Sequence, residues 1–299
     1  MARRGDKVDG WLVLDKPLGV SSAQAVARAR WAFRAAKAGH AGTLDPLATG
    51  VLAVAFGEAT KTIPYVADAR KGYRFTVRWG IVTTTDDAEG PPVATSDLRP
   101  TDAQILAALP AFRGAIMQTP PAFSAVKVDG ERAYALARAG EAFELKARPL
   151  HVDRLELIDR PDADHAVFEM DCGKGGYVRS VARDLGAALG CGAHVTALRR
   201  LWSGPFRAQD ATPFALLDEI RHTGATEAHL APVSTGLDDI PALAVSVPEA
   251  ALLRQGRAVA ASGGDLSEDA HAWAALDGAP VAAGVWRGGV FVPRRVFNL

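Results

Sequence analysis

The stretch GHAGTLDPLATGVL, Gly39 to Leu52, is the most informative in this 299-residue chain. Between Ala41 and Gly57 the one charged residue is Asp45, set among glycines, small residues and aliphatics. A lone carboxylate in such surroundings meets little competing solvation and has backbone close enough to hold a ligand, which is what a nucleophile or general base requires. The residue before a proline is driven to extended geometry, and this favours a loop at Asp45. The same Asp-Pro pair is also a good helix start, with Asp45 as cap and Pro46 first in the helix. Spacing alone leaves both open. Just beyond, Val51 to Phe56 is a short apolar run that reads as a buried strand.

Working outward, Trp11 to Leu14 reads as a strand closed by Lys16-Pro17-Leu18-Gly19. Ser21 or Ser22 can cap a helix predicted to run to about Lys37, with Gly39 as its stop. On it Arg30, Arg34 and Lys37 would share one face. Tyr73, Phe75, Val77 and Trp79 alternate with Arg74, Thr76 and Arg78 as in a half-buried strand. Asp86 to Pro92 is a turn, and Thr101 with Gln104 forms a capping box for a helix to Leu109. A proline-bounded excursion begins at Pro120-Pro121 and nearly ends at Pro149. It contains a turn at Asp129-Gly130 and a helix stopped by Gly140. His151 to Ile158 and Ala166 to Cys172 alternate like paired strands. A helix from Tyr177 to Leu189 carries the apolar stripe Val178, Val181, Leu185 and Leu189, with Arg179 and Arg183 together off it. Val195 to Ser203 is a further strand, and Thr212-Pro213 is read as a helix start. Residues 231–241 have linker composition. The rest suggests a small β-rich barrel around one helix near Pro248 to Gly256. The class is α+β, with a mostly antiparallel mixed sheet flanked by helices.

Composition narrows the function. At roughly 150 residues per domain the length suggests two domains. Hydrophobic residues make up 48% and charged residues 23%, ordinary for a globular chain. No apolar run reaches the roughly 18–20 residues of a membrane span, so no membrane is implied. No apolar core follows the N-terminal arginines, which argues against a secretory signal. Two cysteines, Cys172 and Cys191, fit neither a disulfide framework nor a zinc ribbon, and a cytoplasmic location is the simplest reading. Lys and Arg total 34, as do Asp and Glu, but the charges are segregated. Met1 to His40 has net +5, Asp171 to Arg207 net +4 and Asp218 to Glu249 net −5. This is compatible with a local phosphate-binding surface on a neutral protein, and equally with solvated faces.

Three further residues stand out. Tyr73 is either a core tyrosine or a platform on which a flipped base could stack. Arg179, at a helix start, is either a surface residue or a guanidinium that holds a carboxylate bidentately. His40 adjoins the glycine-rich loop. No histidine shows metal-ligand spacing with Cys or acidic partners, and neither GxxxxGK[ST] nor a strand-linked GxGxxG occurs, so no metal and no cofactor are implied.

Together these pieces resemble the TruB family of tRNA pseudouridine-55 synthases. The landmarks occur in the family's order: LDKPLGVSS (Leu14 to Ser22), GHAGTLDPLATGVL, GEATK (Gly57 to Lys61), KGYRF (Lys71 to Phe75), TTTDDAEG (Thr83 to Gly90), QTPPAFSAVKVDGERAYALARAG (Gln118 to Gly140), KGGYVRSVARDLG (Lys174 to Gly186) and LRRLWSGPF (Leu198 to Phe206). The resemblance covers about residues 10 to 210. It implies a pseudouridine synthase fold over residues 1–235, an RNA-clamping insertion at about 118–148, and a PUA-like RNA-binding barrel at 241–299. It implies Asp45 as nucleophile, Tyr73 as the residue stacked on the target uracil and a base late in the reaction, and Arg179 as the partner of the catalytic carboxylate. His40 corresponds to the histidine that holds the substrate loop with its bases flipped out. Tyr177, Lys16, Lys61, Lys127, Asp87 and Leu198 fall at motif positions that bind substrate or support the site. Two positions depart from the family: Gly176 stands where it usually has threonine, and Thr84 where its turn often has the first aspartate. Asp86 is therefore set aside and Asp87 kept. The implied activity is isomerisation of uridine 55 in the T-loop of tRNA, with the T-loop and stem as partner and the enzyme a monomer. The competing readings are a non-catalytic tRNA-binding or folding protein and a synthase for other RNA uridines.

Overall fold

β1 (Gly10–Lys16), α1 (Ser22–Ala32), β2 (Ala38–Ala41) and β3 (Ala48–Phe56) open the chain in a computed structural model that describes residues 5–128, 130–261 and 266–299. β1 pairs antiparallel with β3 from Gly10↔Phe56 to Lys16↔Gly50, and β2 pairs antiparallel with β3 along its far edge. Strand partners on both sides and packing on both faces account for the unbroken apolar run of β3, which is buried from Gly50 to Phe56. α2 (Ile63–Asp68) follows.

α1 is shorter than its sequence suggests. Ser21 caps it in a full capping box with Gln24, but it ends at Ala32. Arg34 adopts the left-handed conformation, φ 53°, and the Arg34 carbonyl accepts from the Asp6 amide at 2.7 Å while Ala36 N–H donates to Asp6 O at 3.0 Å. The N-terminal segment thus takes the backbone groups that another helical turn would need. The predicted face of Arg30, Arg34 and Lys37 does not form, and Gly39 lies inside β2 rather than at a helix end.

The chain divides into two compact units. One comprises the chain to Pro46, Gly50–Ala69 and Ser203–Leu299; the other comprises Leu47–Thr49 and Arg70–Trp202. The second unit holds β4 (Lys71–Trp79), α3 (Asp102–Ala108), β5 (Gly114–Gln118), α4 (Ala133–Ala139), β6 (Arg148–Asp159), β7 (His165–Cys172), α5 (Val178–Ala188) and β8 (Ala193–Ser203). Its strands run in the order β8-β4-β7-β6-β5, with antiparallel pairing from β4 to β5. Phe75, Val77 and Trp79 from β4, Phe168 and Met170 from β7, and Val178, Val181 and Leu185 from α5 share one core. The capping box at Thr101 and the left-handed Gly140 form where expected. Of the turn predicted at Asp129-Gly130, Asp129 lies outside the described residues.

The rest of the first unit carries α6 (Leu217–Thr223), β9 (Ala242–Ala244), α7 (Val247–Arg254), β10 (Val259–Ala260), β11 (His271–Leu276), β12 (Ala279–Arg287) and β13 (Val290–Val296). Its C-terminal strands form a five-stranded sheet in the order β9-β11-β12-β13-β10. Thr212 and Pro213 themselves pair in parallel with Leu14 and Asp15 of β1, and the helical segment they precede starts one residue later than expected, as a 3-10 turn over Phe214–Leu216 that leads into α6 at Leu217. The linker composition of residues 231–241 is also misleading. Ala231 exchanges both backbone hydrogen bonds with Trp11 at 2.8 Å, and Val233, Gly236 and Leu237 are buried. Gly236 is required there, since a β-carbon would stand 2.5 Å from Trp11 Nε1. Trp11 is fully buried and shares its core with Trp273, Ala283 and Phe297 from the C-terminal sheet region. Among the described residues no helix is long and apolar enough to cross a membrane.

Burial pushes the Cys172 thiol up to about 12. An unfolded thiol ionises near about 8.5. The stability held by the neutral thiol is therefore full below that pH and is lost as pH rises toward the folded value, at about 1.4 kcal/mol per pH unit. Denaturant melts of wild type and Cys172→Ala at pH 8 and pH 10 test this. The stability gap between them should narrow by roughly 1–2 kcal/mol at the higher pH.

Candidate active site

Asp45 lies on the loop between β2 and β3, half-buried, and no helix begins at Pro46. The loop reading of the Asp-Pro pair therefore holds over the cap reading. The loop is pinned on both sides of Asp45. Ser22 Oγ donates to Leu44 O and accepts from Leu44 N, each at 2.8 Å. Gly19 N donates to Pro46 O at 2.8 Å. Lys16, fully buried, donates from Nζ to Val20 O at 2.6 Å, Pro17 O at 2.9 Å and Pro46 O at 3.4 Å. A buried ammonium must have its donors answered. Here the answering carbonyls belong to the segment just after β1 and to Pro46 of the carboxylate loop itself. His40, on β2, sits opposite Val54 of β3.

In the second unit the turn after β4 meets α5. Arg179 is buried, with Nη1 3.0 Å from Thr85 O and 3.4 Å from Asp87 Oδ2, and Nη2 2.9 Å from Phe123 O. The surface reading of Arg179 is thus excluded. One turn along α5, Arg183 Nη1 lies 3.0 Å from Asp86 Oδ2, and its Nη2 donates to Thr119 O at 2.9 Å. Two arginines at i and i+4 on one helix therefore take two consecutive aspartates. The aspartates reach them because Asp86 is left-handed, φ 59°, which turns the chain between the two carboxylates. Burial raises the Asp86 carboxyl, against the pull of Arg183. Asp87 also accepts from Glu89 N at 3.0 Å and from the Thr85 hydroxyl. Asp86, set aside on sequence grounds, emerges as the partner of a second arginine.

Tyr177 precedes the first residue of α5. Its N–H donates to Gln118 Oε1 at 2.9 Å and its carbonyl accepts from Gln118 Nε2 at 3.1 Å. Gln118 is buried at the end of β5 and was missed as a site residue; an amide opening a proline-rich excursion was the available signal. Gly176 has a local cause, because a β-carbon there would stand 2.7 Å from Cys172 Sγ. Tyr73 is buried on β4 opposite Met170 of β7. On β8, Leu198 packs against the same core, and its carbonyl accepts from Thr49 Oγ1 at 3.4 Å. Arg200, also on β8, is fully buried and hydrogen-bonds the Tyr73 side chain; burial pushes its guanidinium pKa down, and the tyrosine opposes that shift. Sequence reading did not single it out.

Two of the motif lysines lie elsewhere. Lys127 is exposed in a two-strand hairpin, opposite Arg132. Lys61 Nζ donates to Glu58 Oε2 at 2.6 Å and to Val296 O at 2.8 Å, so it ties the C-terminal strand down. Burial works against the Glu58 charge, but Lys61 and the Asn298 amide outweigh it and hold that carboxyl below its usual range.

Asp87→Ala removes a buried carboxylate that pairs with Arg179 and accepts from Glu89 N and the Thr85 hydroxyl, and is expected to cost roughly 1–3 kcal/mol. Asp86→Ala should cost less, since Arg183 is more open to solvent and keeps Asp184 at 2.8 Å. Lys16→Met should cost about 1–3 kcal/mol by stranding buried carbonyls. Chemical denaturation of the three variants checks the two values and the ranking.

Residues 30–178 match the TruB family pseudouridylate synthase N-terminal domain, and residues 179–238 match the tRNA pseudouridylate synthase B C-terminal domain. The chain is 58% identical to a tRNA pseudouridine synthase B of Cereibacter sphaeroides, covering 99% of both chains. It is 57% identical to that of Dinoroseobacter shibae, covering 99% of this chain and 97% of the other. Among solved structures, an archaeal box H/ACA sRNP Nop10-Cbf5 complex contains a chain with the same fold, with TM-score 0.75 and 22% identity over 97% of this chain and 86% of that one. The α+β class with a curled C-terminal sheet agrees with that likeness. On its domains and its full-length relatives, the chain belongs to the TruB family of pseudouridylate synthases.

Proposed function

We propose that this protein isomerises uridine 55 in the T-loop of tRNA to pseudouridine, with Asp45 as the nucleophile. The observation that carries the reading is the pinned loop: a half-buried carboxylate held on both sides by Ser22, Gly19 and Lys16. A group that must attack one atom of a flipped nucleotide needs such fixation. Relatives named tRNA pseudouridine synthase B over nearly the whole chain support it.

The reaction is an isomerisation. The N1–C1′ bond breaks, uracil turns over, C5 bonds to C1′, the C5 proton leaves and N1 gains one. Tyr73 provides the ring against the flipped uracil and an oxygen to take the C5 proton. Arg179, its guanidinium held by Asp87, is a further catalytic residue. His40, Tyr177 and Leu198 shape the nucleotide site, Lys16 and Lys61 support the fold around it, and Lys127 in the clamping insertion meets RNA phosphate. Residues 241–299 add an RNA-binding PUA-like domain to a catalytic domain of residues 1–235. The enzyme acts as a monomer in the cytoplasm.

Unmodified tRNA transcript is incubated with the protein alone, and pseudouridine is mapped by carbodiimide labelling and primer extension. The expected stop is at uridine 55 with wild type and none with Asp45→Asn, which should still bind tRNA within about threefold. Turnover by Asp45→Asn near the wild-type rate overturns the nucleophile. A stop at another uridine overturns the substrate. Tight binding without any stop overturns catalysis in favour of a tRNA-binding role.

A further inference from the structure

The sequence places two arginines side by side at Arg199-Arg200 on β8, and one of them goes inside. Arg200 is 1% exposed, although long cationic side chains normally reach water with their charged ends. β8 is the neighbour of β4 in the sheet, and the Arg200 guanidinium meets the Tyr73 hydroxyl across that pair. Packing alone would be better served there by an aliphatic side chain, because an interior charge is costly unless it is answered.

A guanidinium carries donors and no acceptor. In this contact Arg200 therefore donates, and the Tyr73 oxygen accepts. That fixes three things about the phenol. Its ring is anchored at the hydroxyl end as well as by the core around Phe75 and Met170. Its own proton must point away from Arg200. Its oxygen sits beside a cation that stays protonated, which favours the phenolate over the phenol.

We propose that Arg200 is a positioning residue for Tyr73, holding its oxygen in place and ready to accept a proton. This rests on the reading of Tyr73 as the late base. In that step the C5–H bond of the turned uracil breaks and its electron pair returns to the ring. Tyr73 acts as the phenolate, its own proton having gone to water; it takes the C5 proton and becomes the phenol again, while Arg200 remains charged throughout.

The test is a double-mutant cycle with single-turnover kinetics on unmodified tRNA, using Tyr73→Phe, Arg200→Met, Arg200→Lys and the doubles. Arg200→Met should slow the chemical step by about 10- to 100-fold with tRNA affinity within about twofold, and shift the acid limb of the pH–rate profile to higher pH, toward a less readily ionised base. Arg200→Lys, which keeps the charge, should recover part of both. In the Tyr73→Phe background neither substitution should slow the step further. Equal slowing in both backgrounds, or no shift of the acid limb, overturns the proposal and leaves Tyr73 its role. A wild-type rate for Tyr73→Phe overturns the late-base reading itself, and this inference with it. Should Arg200→Met fail to fold, Arg200→Lys alone carries the same comparison, since a lysine cannot reproduce the guanidinium geometry.

Discussion

A charge removed from water must be met by oxygen atoms in fixed places, and this constraint shapes the protein around its motifs. Lys16, Arg179 and Arg200 are all buried. Lys16 takes carbonyls from Val20 and from Pro46, the residue after Asp45. Arg179 gathers Thr85 O, Phe123 O and Asp87. Arg200 takes the oxygen of Tyr73. In each case one side chain fastens loops or strands that are distant in sequence, and the fastened segments carry the motif residues. Their stability and their chemistry are thus hard to separate, because the same contact serves both.

The left-handed Asp86 shows how little backbone such an arrangement needs. Two adjacent carboxylates would ordinarily diverge along an extended chain. One residue at φ 59° lets Asp86 and Asp87 meet Arg183 and Arg179 on a single face of α5. Aspartate tolerates that conformation better than most residues, because its short polar side chain can bond locally.

Much of the fold was legible from periodicity. The alternation of Tyr73 to Trp79, the apolar run of β3, the serine cap at the start of α1 and the capping box at Thr101 all reappear as elements. The failures share a cause, which is competition from a distant partner. Asp6 takes the backbone that would have extended α1, Leu14 takes Thr212, and Trp11 takes the stretch that looked like a linker. None of these pairings leaves a local signal. At the site, Asp45 and Arg179 could be picked out, but the reason Arg179 is buried could not, since its oxygens come from residues 85, 87 and 123. Arg200 was invisible for the complementary reason: a second arginine in a basic run says nothing until its partner is placed, and for Gln118 the proline-rich excursion it opens was the one weak signal.

The two cysteines have a practical side. Cys172 and Cys191 are both free and both buried, at 1% and 3% exposure. The native chain therefore offers almost no thiol to a maleimide reagent while it stays folded. A single cysteine placed on an exposed loop, for instance at Ala225, would accept a fluorophore with little background. The wild-type sequence is in that sense already a cysteine-light scaffold for following RNA docking by fluorescence, without removing either native thiol and without opening the cavity its loss would leave.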